Sequence, residues 1–539
     1  MNNIPIKLKS LLLNANQALR EKKYSEGKVI LEKVFTINPK IFEVCYNLGL
    51  INLQLENFDT AIFYLEKAKK INPELSQVYF NLGLAYDKKK ETNLAIDNFE
   101  KVVKLDPKNS FAFYNLGSIY QEIFRREEAE KNLKISIHLN PNYELAYKNL
   151  FDVYDLSNQI DKYGELLKKA EKIIKEKNIL NFYYGIFEYK RKNFKKAIKI
   201  LENIQLSENN FLQNIKKHGV LAKSYDHIHE FDRAFEYFES NNNLVNYHFG
   251  KNINEKIYVN YINQRIDFFE NFKKIRWKNF PETNEIDDPI FLIGFPRSGT
   301  TLLDTILRTS ETVEVIEEKP ILRNFLIQIE KKTKNNLNLL EDLDNEYIKK
   351  MRGMYFQERK KYLKNKHSQI VIDKLPLNII HIGEILRFFP NAKFILALRH
   401  PYDSVLSCFM QQFSLNPAMK NFLSIESSAY LYDSVMRLWA IYSKVFSINF
   451  HIIKYEDVVS DFEKTTKNIY KYLNIKWTNK TKDFYLTAKN RTDISTPSYD
   501  QITSPIYSKS IDRWKNYESK FKNSKKYLDK WVKQFQYNI

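Results

Sequence analysis

The first half of this chain repeats a short pattern at a fixed interval of 34 residues. Three sets of residues recur at that spacing: a polar residue before proline, an Asn-Leu-Gly triplet, and a single alanine. They are Asn38-Pro39, Asn72-Pro73, Asp106-Pro107 and Asn140-Pro141; Asn47-Leu48-Gly49, Asn81-Leu82-Gly83 and Asn115-Leu116-Gly117; and Ala61, Ala95 and Ala129. One such unit cannot bury its apolar face alone, so the period predicts neighbours stacked into a superhelix.

The order of these residues resembles the tetratricopeptide repeat, a pair of antiparallel helices. Glycine and alanine are expected where two helices approach closely, with Tyr46, Phe80 and Tyr114 filling the groove between them. We expect about six units over residues 6–240, although the segment 163–177 keeps only helical periodicity. The resemblance implies a scaffold for a protein partner, for self-association or for presenting an acceptor. A rigid spacer or dimerisation arm is the alternative.

Residues 241–285, which include Trp277 and Pro281, predict a helix and a linker into a second domain. At 539 residues the chain exceeds what one core organises, and two to four domains are expected. The formal charge of +20 suits an anionic partner. The lysines are scattered along helices rather than clustered, so nucleic-acid binding is only weakly supported.

The second half alternates short apolar runs with helical patterns. The runs cover residues 290–293, 370–372, 394–398 and 451–454. This alternation predicts a parallel sheet with helices on both faces, so the expected protein is an all-α repeat solenoid followed by an α/β P-loop-type domain. Ligands bind at the carboxyl ends of strands in such sheets, so the residues that follow each run are candidates for the site.

The loop after the first run has the sequence GFPRSGTT and begins at Gly294. It is similar to a Walker A loop, because Gly299 falls where the second glycine should. However, Thr300 replaces the lysine that would reach the β- and γ-phosphates, and the loop's cation is Arg297. Free N–H groups and the helix dipole at the following helix start favour an anion. The loop predicts a phosphate pocket and disfavours an ordinary ATPase or GTPase.

A second anion site is predicted where the 394–398 run ends. Arg399 leaves the sheet at its carboxyl edge, and Ser407 lies eight residues further on within a helix. A planar guanidinium can bind phosphate with a hydroxyl assisting. Taken alone, the two residues are more typical of an arginine paired to an acid and an ordinary helix serine.

The two segments GFPRSGTTLL and LRHPYDSVLS, about a hundred residues apart, together resemble the sulfotransferase family. The resemblance covers residues 286–535. It implies a fold similar to nucleotide kinases, with 3′-phosphoadenosine-5′-phosphosulfate (PAPS) as co-substrate and no metal. It also implies that Arg399 and Ser407 hold the 3′-phosphate. The residues implied for the 5′-phosphate are Arg297, Ser298, Gly299, Thr300 and Thr301.

Shorter matches resemble the branch of that family that contains the tyrosyl-protein sulfotransferases. Ile316-Glu317-Glu318 is similar to their Gly-Glu-Glu, which implies that Glu318 is the catalytic base and leaves Glu317 as the alternative. Asp373-Lys374-Leu375-Pro376 is similar to their Asn-Lys-Asp-Pro, which implies that Lys374 is the catalytic lysine. Further cofactor contacts are implied at Tyr455, Ser498 and Arg513.

Two departures accompany the resemblance. Pro320 stands where tyrosine-directed enzymes carry an arginine, which weakens the case for a tyrosine acceptor. Gln411 replaces a later arginine of the 3′-phosphate helix, which removes one phosphate contact. His400 is a weaker candidate for the base than Glu318, because it lies inside the 3′-phosphate segment.

The remaining expectations concern location and rival functions. Cys45 and Cys408 form no metal-binding pattern or disulfide framework, and no apolar run approaches a membrane span, so a cytoplasmic protein is expected. The alternative hypotheses are a P-loop kinase and a repeat scaffold whose α/β domain does not catalyse. The sequence leaves open whether the acceptor is a tyrosyl protein, a polysaccharide, a lipid or a small molecule.

Overall fold

The computed structural model describes residues 6–272, 288–365, 368–489, 503, 505–506 and 510–538. The chain divides into two compact units, Met1–Ser207 and Glu208–Ile539. Short amphipathic α-helices make up the described part of the first unit. They are Ile6–Arg20, Tyr24–Ile37, Phe42–Gln54, Phe58–Ile71, Ser76–Lys88, Thr92–Leu105, Ser110–Glu122, Arg126–Leu139, Glu144–Leu156, Ile160–Ala170, Lys177–Lys190 and Phe194–Glu202.

Close contact between paired helices explains the recurring glycine and alanine. A Cβ atom at Gly49 would lie 2.6 Å from Leu65 Cγ, and the equivalent Gly83 and Gly117 are equally crowded by the facing helix. The repeated alanines Ala61, Ala95 and Ala129 are fully buried. The prediction that small residues lie where two helices approach closely is therefore confirmed.

The turn inside each hairpin also recurs at 34 residues. Its residues adopt a left-handed backbone and are Lys22, Glu56, Lys90, Phe124, Asn158 and Lys192. The hairpin of Glu144–Leu156 and Ile160–Ala170 therefore keeps the repeat geometry, although its sequence signature is faint. In this hairpin large rings fill the space, since the rings of Phe151 and Tyr163 lie with their centroids 4.8 Å apart.

Among the described residues, five strands form the sheet of the second unit, and its parallel arrangement was predicted. They are β1 (Ile290–Gly294), β2 (Val313–Glu317), β3 (Ile370–Lys374), β4 (Lys393–Leu398) and β5 (Asn449–Lys454). The order across the sheet is β2-β3-β1-β4-β5. Every pairing is parallel, so all five carboxyl ends lie along one edge.

Sequence reasoning missed β2 as a strand, because two glutamates interrupt its apolar run. Glu314 is nevertheless buried, and it accepts hydrogen bonds from the backbone N–H groups of Lys364 at 2.7 Å and Asn365 at 3.2 Å. A buried carboxylate is tolerated when such donors satisfy it.

Helices cover the sheet and precede it in the chain. The α-helices of this unit are Phe211–His227, Phe231–Val245, Lys256–Glu270, Thr300–Leu307, Ile321–Thr333, Asn345–Lys360, Ile382–Phe388, Pro401–Phe409, Ile425–Val445, Tyr455–Ser460, Phe462–Tyr472, Phe484–Lys489 and Lys525–Gln534. Shorter 3-10 segments are Glu208–Asn210, Leu337–Leu340, Pro376–His381, Met419–Leu423, Asn479–Asp483 and Arg513–Phe521, and Asn246–Gly250 is a π-helical turn. Within the described ranges, each helix is too short or too polar to cross a membrane.

The boundary between the units falls earlier than the predicted end of the array at residue 240. The hairpin of Phe211–His227 and Phe231–Val245 packs within the sheet unit, where the Asn242 side chain donates to the carbonyl of Phe409 at 3.0 Å. The predicted linker region contains an integral helix, Lys256–Glu270. Its Arg265 forms a buried ion pair with Glu384. Residues 273–285 of that region lie outside the described residues.

Candidate active site

The loop after β1 forms one wall of the candidate site. Gly299 has a φ of 91°, a left-handed backbone that favours glycine, and a Cβ there would lie 3.0 Å from the Tyr455 ring. Thr300 and Thr301 follow as the buried first residues of the helix Thr300–Leu307. The buried Ser298 hydroxyl has no hydrogen-bond partner among the described residues. The loop therefore offers unengaged donors at a helix N-terminus.

Arg399, the residue after β4, lies next to the loop that follows β1. Its Nη1 donates to the Arg297 carbonyl at 3.3 Å and its Nη2 to the Ser510 carbonyl at 2.5 Å, while its guanidinium lies 5.2 Å from the centre of the Tyr455 ring. Its Nε is buried and has no acceptor within the described part of the chain. The Arg297 side chain reaches the helix Pro401–Phe409, where its Nε donates to Ser407 Oγ at 3.1 Å.

The structure thus assembles residues that are far apart in the sequence. The predicted cofactor residues Arg297, Gly299, Arg399, Ser407 and Tyr455 form one cluster at the carboxyl ends of β1, β4 and β5. Arg297 and Arg399 both bring positive charge to this cluster, and positive charge favours an anionic ligand. Buried donors of both a hydroxyl and a guanidinium are available to such an anion, so the residues present fit a phosphate-bearing ligand.

A lysine shared by two carboxylates occupies the carboxyl ends of β2 and β3. Lys374 Nζ lies 3.0 Å from Glu317 Oε1 and 3.0 Å from Glu318 Oε1. The Lys374 side chain is fully buried. The side chain of Glu317 is 9% exposed and that of Glu318 is 42% exposed. The two glutamates therefore differ in access to solvent although they bind the same ammonium group.

The charge of Lys374 is stabilised by its surroundings. Burial acts to lower the pKa of its ammonium group, but Glu317, Glu318 and then Asp304 outweigh that effect and the pKa is raised. Asp304 lies on the helix Thr300–Leu307 and pairs with Arg308, which also donates to the Val315 carbonyl. These contacts join the helix Thr300–Leu307 to β2.

The segment 510–514 closes the site beside Arg399. Asp403 accepts hydrogen bonds from the backbone N–H groups of Asp512 and Trp514, each at 2.9 Å. Arg513 pairs with Asp226 at 2.7 Å, on the helix Phe211–His227. Sequence reasoning predicted Arg513 but missed both aspartates. The only signal for Asp403 in the sequence was its position four residues after Arg399, in the first turn of the helix Pro401–Phe409.

His400 has a packing role. Its ring stacks on Trp514 with centroids 5.3 Å apart, and its Nε2 lies 3.1 Å from the Asn538 carbonyl oxygen. Burial lowers the pKa of its imidazole. Its backbone N–H donates to Glu456 at 2.9 Å. Ser498, another predicted contact, lies outside the described residues.

Comparison with known proteins identifies the class of this domain. Residues 289–479 match the model of the sulfotransferase family, and residues 42–75, 76–109 and 112–143 match models of the tetratricopeptide repeat. The chain therefore combines tetratricopeptide repeats with a domain of the sulfotransferase family, as the sequence predicted.

Individual proteins share low sequence identity with this chain. An uncharacterized protein of Aquifex aeolicus (strain VF5) is 26% identical over 311 residues, which cover 56% of this chain and 39% of that protein. Among solved structures, MamA (residues 41 to end) from Desulfovibrio magneticus RS-1 is 20% identical, with a TM-score of 0.30, over 31% of this chain and 96% of that one. A tetratricopeptide repeat protein from Parabacteroides merdae ATCC 43184 is 14% identical, with a TM-score of 0.35, over 44% of this chain and 93% of that one.

Proposed function

We propose that this protein is a PAPS-dependent sulfotransferase that moves a sulfuryl group to an acceptor hydroxyl on a protein tyrosine, a glycan or a small molecule. The repeat domain would bind the substrate or a partner, or mediate dimerisation. One observation carries the proposal. Arg297 and Arg399 converge with Ser407 on a phosphate loop that has Thr300 in place of the lysine of an NTPase.

The proposed cofactor roles follow from this cluster. The loop residues from Arg297 to Thr301 would hold the 5′-phosphate, and Arg399 with Ser407 would hold the 3′-phosphate. Because Arg297 already donates to Ser407, its guanidinium also lies within reach of the 3′-phosphate side and would supply positive charge there, where Gln411 is neutral. Tyr455 would contact the adenine, and Arg513 and Ser498 would complete the binding set.

The proposed catalytic roles use the edge formed by β2 and β3. PAPS, when bound, supplies a sulfuryl group on a phosphate leaving group. Glu318 would take the proton of the acceptor hydroxyl as the new oxygen–sulfur bond forms and the bond to the phosphate oxygen breaks. Lys374 would stabilise the negative charge that develops on the leaving phosphate. The exposure of Glu318 and the charge of the buried Lys374 support this division.

Ligand-dependent stability tests the proposal. Adenosine-3′,5′-bisphosphate at a hundred times its Kd should stabilise the protein by about 2.7 kcal/mol, whereas ATP with Mg²⁺ should not. Stabilisation by ATP and Mg²⁺ alone would favour a kinase. Stabilisation by neither nucleotide would favour a repeat scaffold with a domain that does not catalyse.

A further inference from the structure

We propose that Glu317 is a positioning residue that holds Lys374 in place, so that the Glu318 carboxylate is free to accept the acceptor proton. The chemical consequence rests on the proposed function, whereas the geometry rests on contacts among described residues. Glu317 ends β2 and is the register partner of Lys374, which ends β3. Adjacent parallel strands thus fix the two side chains next to each other.

The two glutamates bind Lys374 at equal distance but in different environments. One oxygen of each carboxylate lies 3.0 Å from Lys374 Nζ. The Glu318 side chain is nevertheless 42% exposed, whereas the Glu317 side chain is 9% exposed. An ion pair with an exposed partner is weak because water competes for it. A buried pair is costly to break because a charge is left without compensation. The Glu317 contact is therefore the persistent one.

The backbone explains why consecutive residues differ so much. Glu317 is extended and paired in the sheet, whereas Glu318 has a φ of 51° and leaves it. The Glu318 N–H still donates to the Lys374 carbonyl at 2.8 Å. A left-handed residue other than glycine is held only where surrounding contacts require it. This turn keeps Glu318 at the site and gives its side chain access to solvent.

The second glutamate keeps the charge of Lys374 balanced during proton transfer. The charged groups around Lys374 are Glu317 and Glu318 on the β2 side and Asp304, itself paired with Arg308, on the helix Thr300–Leu307. If Glu318 were the only close carboxylate, its protonation would leave a buried ammonium group without its counter-ion. With Glu317 present, Lys374 remains paired after Glu318 has taken the proton.

The pH dependence of turnover tests this role. In Glu317→Gln, proton transfer to Glu318 would leave the buried ammonium group of Lys374 without a close carboxylate, which opposes the transfer. We expect kcat to fall about tenfold and the acid limb of the kcat profile to move down by about one pH unit. The KM for PAPS should stay within about twofold, because the phosphate contacts are unchanged. An unchanged kcat and profile would overturn the proposal.

Two further variants separate positioning from stability. Glu317→Asp retains the negative charge. It should have most of the wild-type kcat, with the acid limb of its kcat profile at the wild-type pH. Glu314→Gln removes a buried carboxylate from the same strand, away from Lys374, and should lower thermal stability without moving the limb. If Glu317→Gln also lowers stability and leaves the limb in place, Glu317 is only structural and the proposal is wrong.

Chemical labelling tests the geometry without requiring turnover. Lys374 is fully buried, so acetic anhydride followed by mass spectrometry should modify it slowly in the wild type and in Glu318→Gln. We expect labelling at least fivefold faster in Glu317→Gln. Equal rates, or faster labelling in Glu318→Gln, would overturn the proposal. If the wild type transferred no sulfuryl group, the proposed function would fail, and the labelling rates would still decide which glutamate holds the lysine.

Discussion

Replacing Arg399 by alanine should weaken binding of adenosine-3′,5′-bisphosphate by about 10- to 150-fold. The Arg399 side chain presents a buried Nε without an acceptor among the described residues. It donates to the carbonyl of Arg297, whose own side chain donates to Ser407. A hydrogen bond to a charged group contributes about 1.5–3 kcal/mol, and each 1.4 kcal/mol is a tenfold change in Kd. One such bond to the 3′-phosphate gives the expected range.

Calorimetry with two nucleotides isolates that bond. Adenosine 5′-monophosphate lacks the 3′-phosphate, so Arg399→Ala should change its Kd by less than about threefold. Arg399→Lys keeps the positive charge but loses the planar guanidinium. Its Kd for adenosine-3′,5′-bisphosphate should lie between those of Arg399→Ala and the wild type. Arg437→Ala removes an exposed arginine of the same unit and should change neither affinity. Equal losses for both nucleotides in Arg399→Ala would refute a specific role at the 3′-phosphate.

Three further predictions and one control variant concern stability. Burial raises the pKa of Asp373 to about 7. Ionisation of this buried carboxyl group therefore destabilises the fold as the pH rises from about 4 to about 7. Asp373→Asn should raise the Tm at pH 8 but not at pH 4. Glu384→Ala leaves the buried Arg265 charge unpaired and should lower the free energy of unfolding in urea by about 3–5 kcal/mol. Gly299→Ala forces alanine into a left-handed backbone against Tyr455 and should lower the Tm and weaken nucleotide binding. Gly353→Ala, in an open position on a helix, should instead stabilise by up to about 1 kcal/mol in the same measurement.

The sequence predicted the repeats and the sheet because both depend on local periodicity. Glycines 34 residues apart and short apolar runs are visible without knowing any long-range contact. The strand Val313–Glu317 was missed because its burial of Glu314 depends on backbone donors at residues 364 and 365. The boundary between the compact units lies inside the predicted array, because the hairpin beginning at Phe211 keeps a repeat-like sequence while packing within the sheet unit.

The predicted phosphate residues converge because each follows a strand of one parallel sheet, which is a consequence of topology that spacing alone can suggest. What the sequence could not supply is the partner of each side chain. The sharing of Lys374 by two glutamates, the Arg297–Ser407 hydrogen bond and the Arg513–Asp226 pair join residues between 56 and 287 positions apart. Contacts of that kind are set by tertiary packing.

Transfer of a radioactive sulfuryl group tests the central claim most directly. The wild-type protein would be incubated with ³⁵S-labelled PAPS and fractions of a cell lysate, with Glu318→Gln and Lys374→Ala as controls that should still bind adenosine-3′,5′-bisphosphate. We predict label in a specific acceptor fraction with the wild type and loss of at least about 99% of it with either variant. Equal labelling by the wild type and both variants, or no labelling in any fraction, would contradict the account.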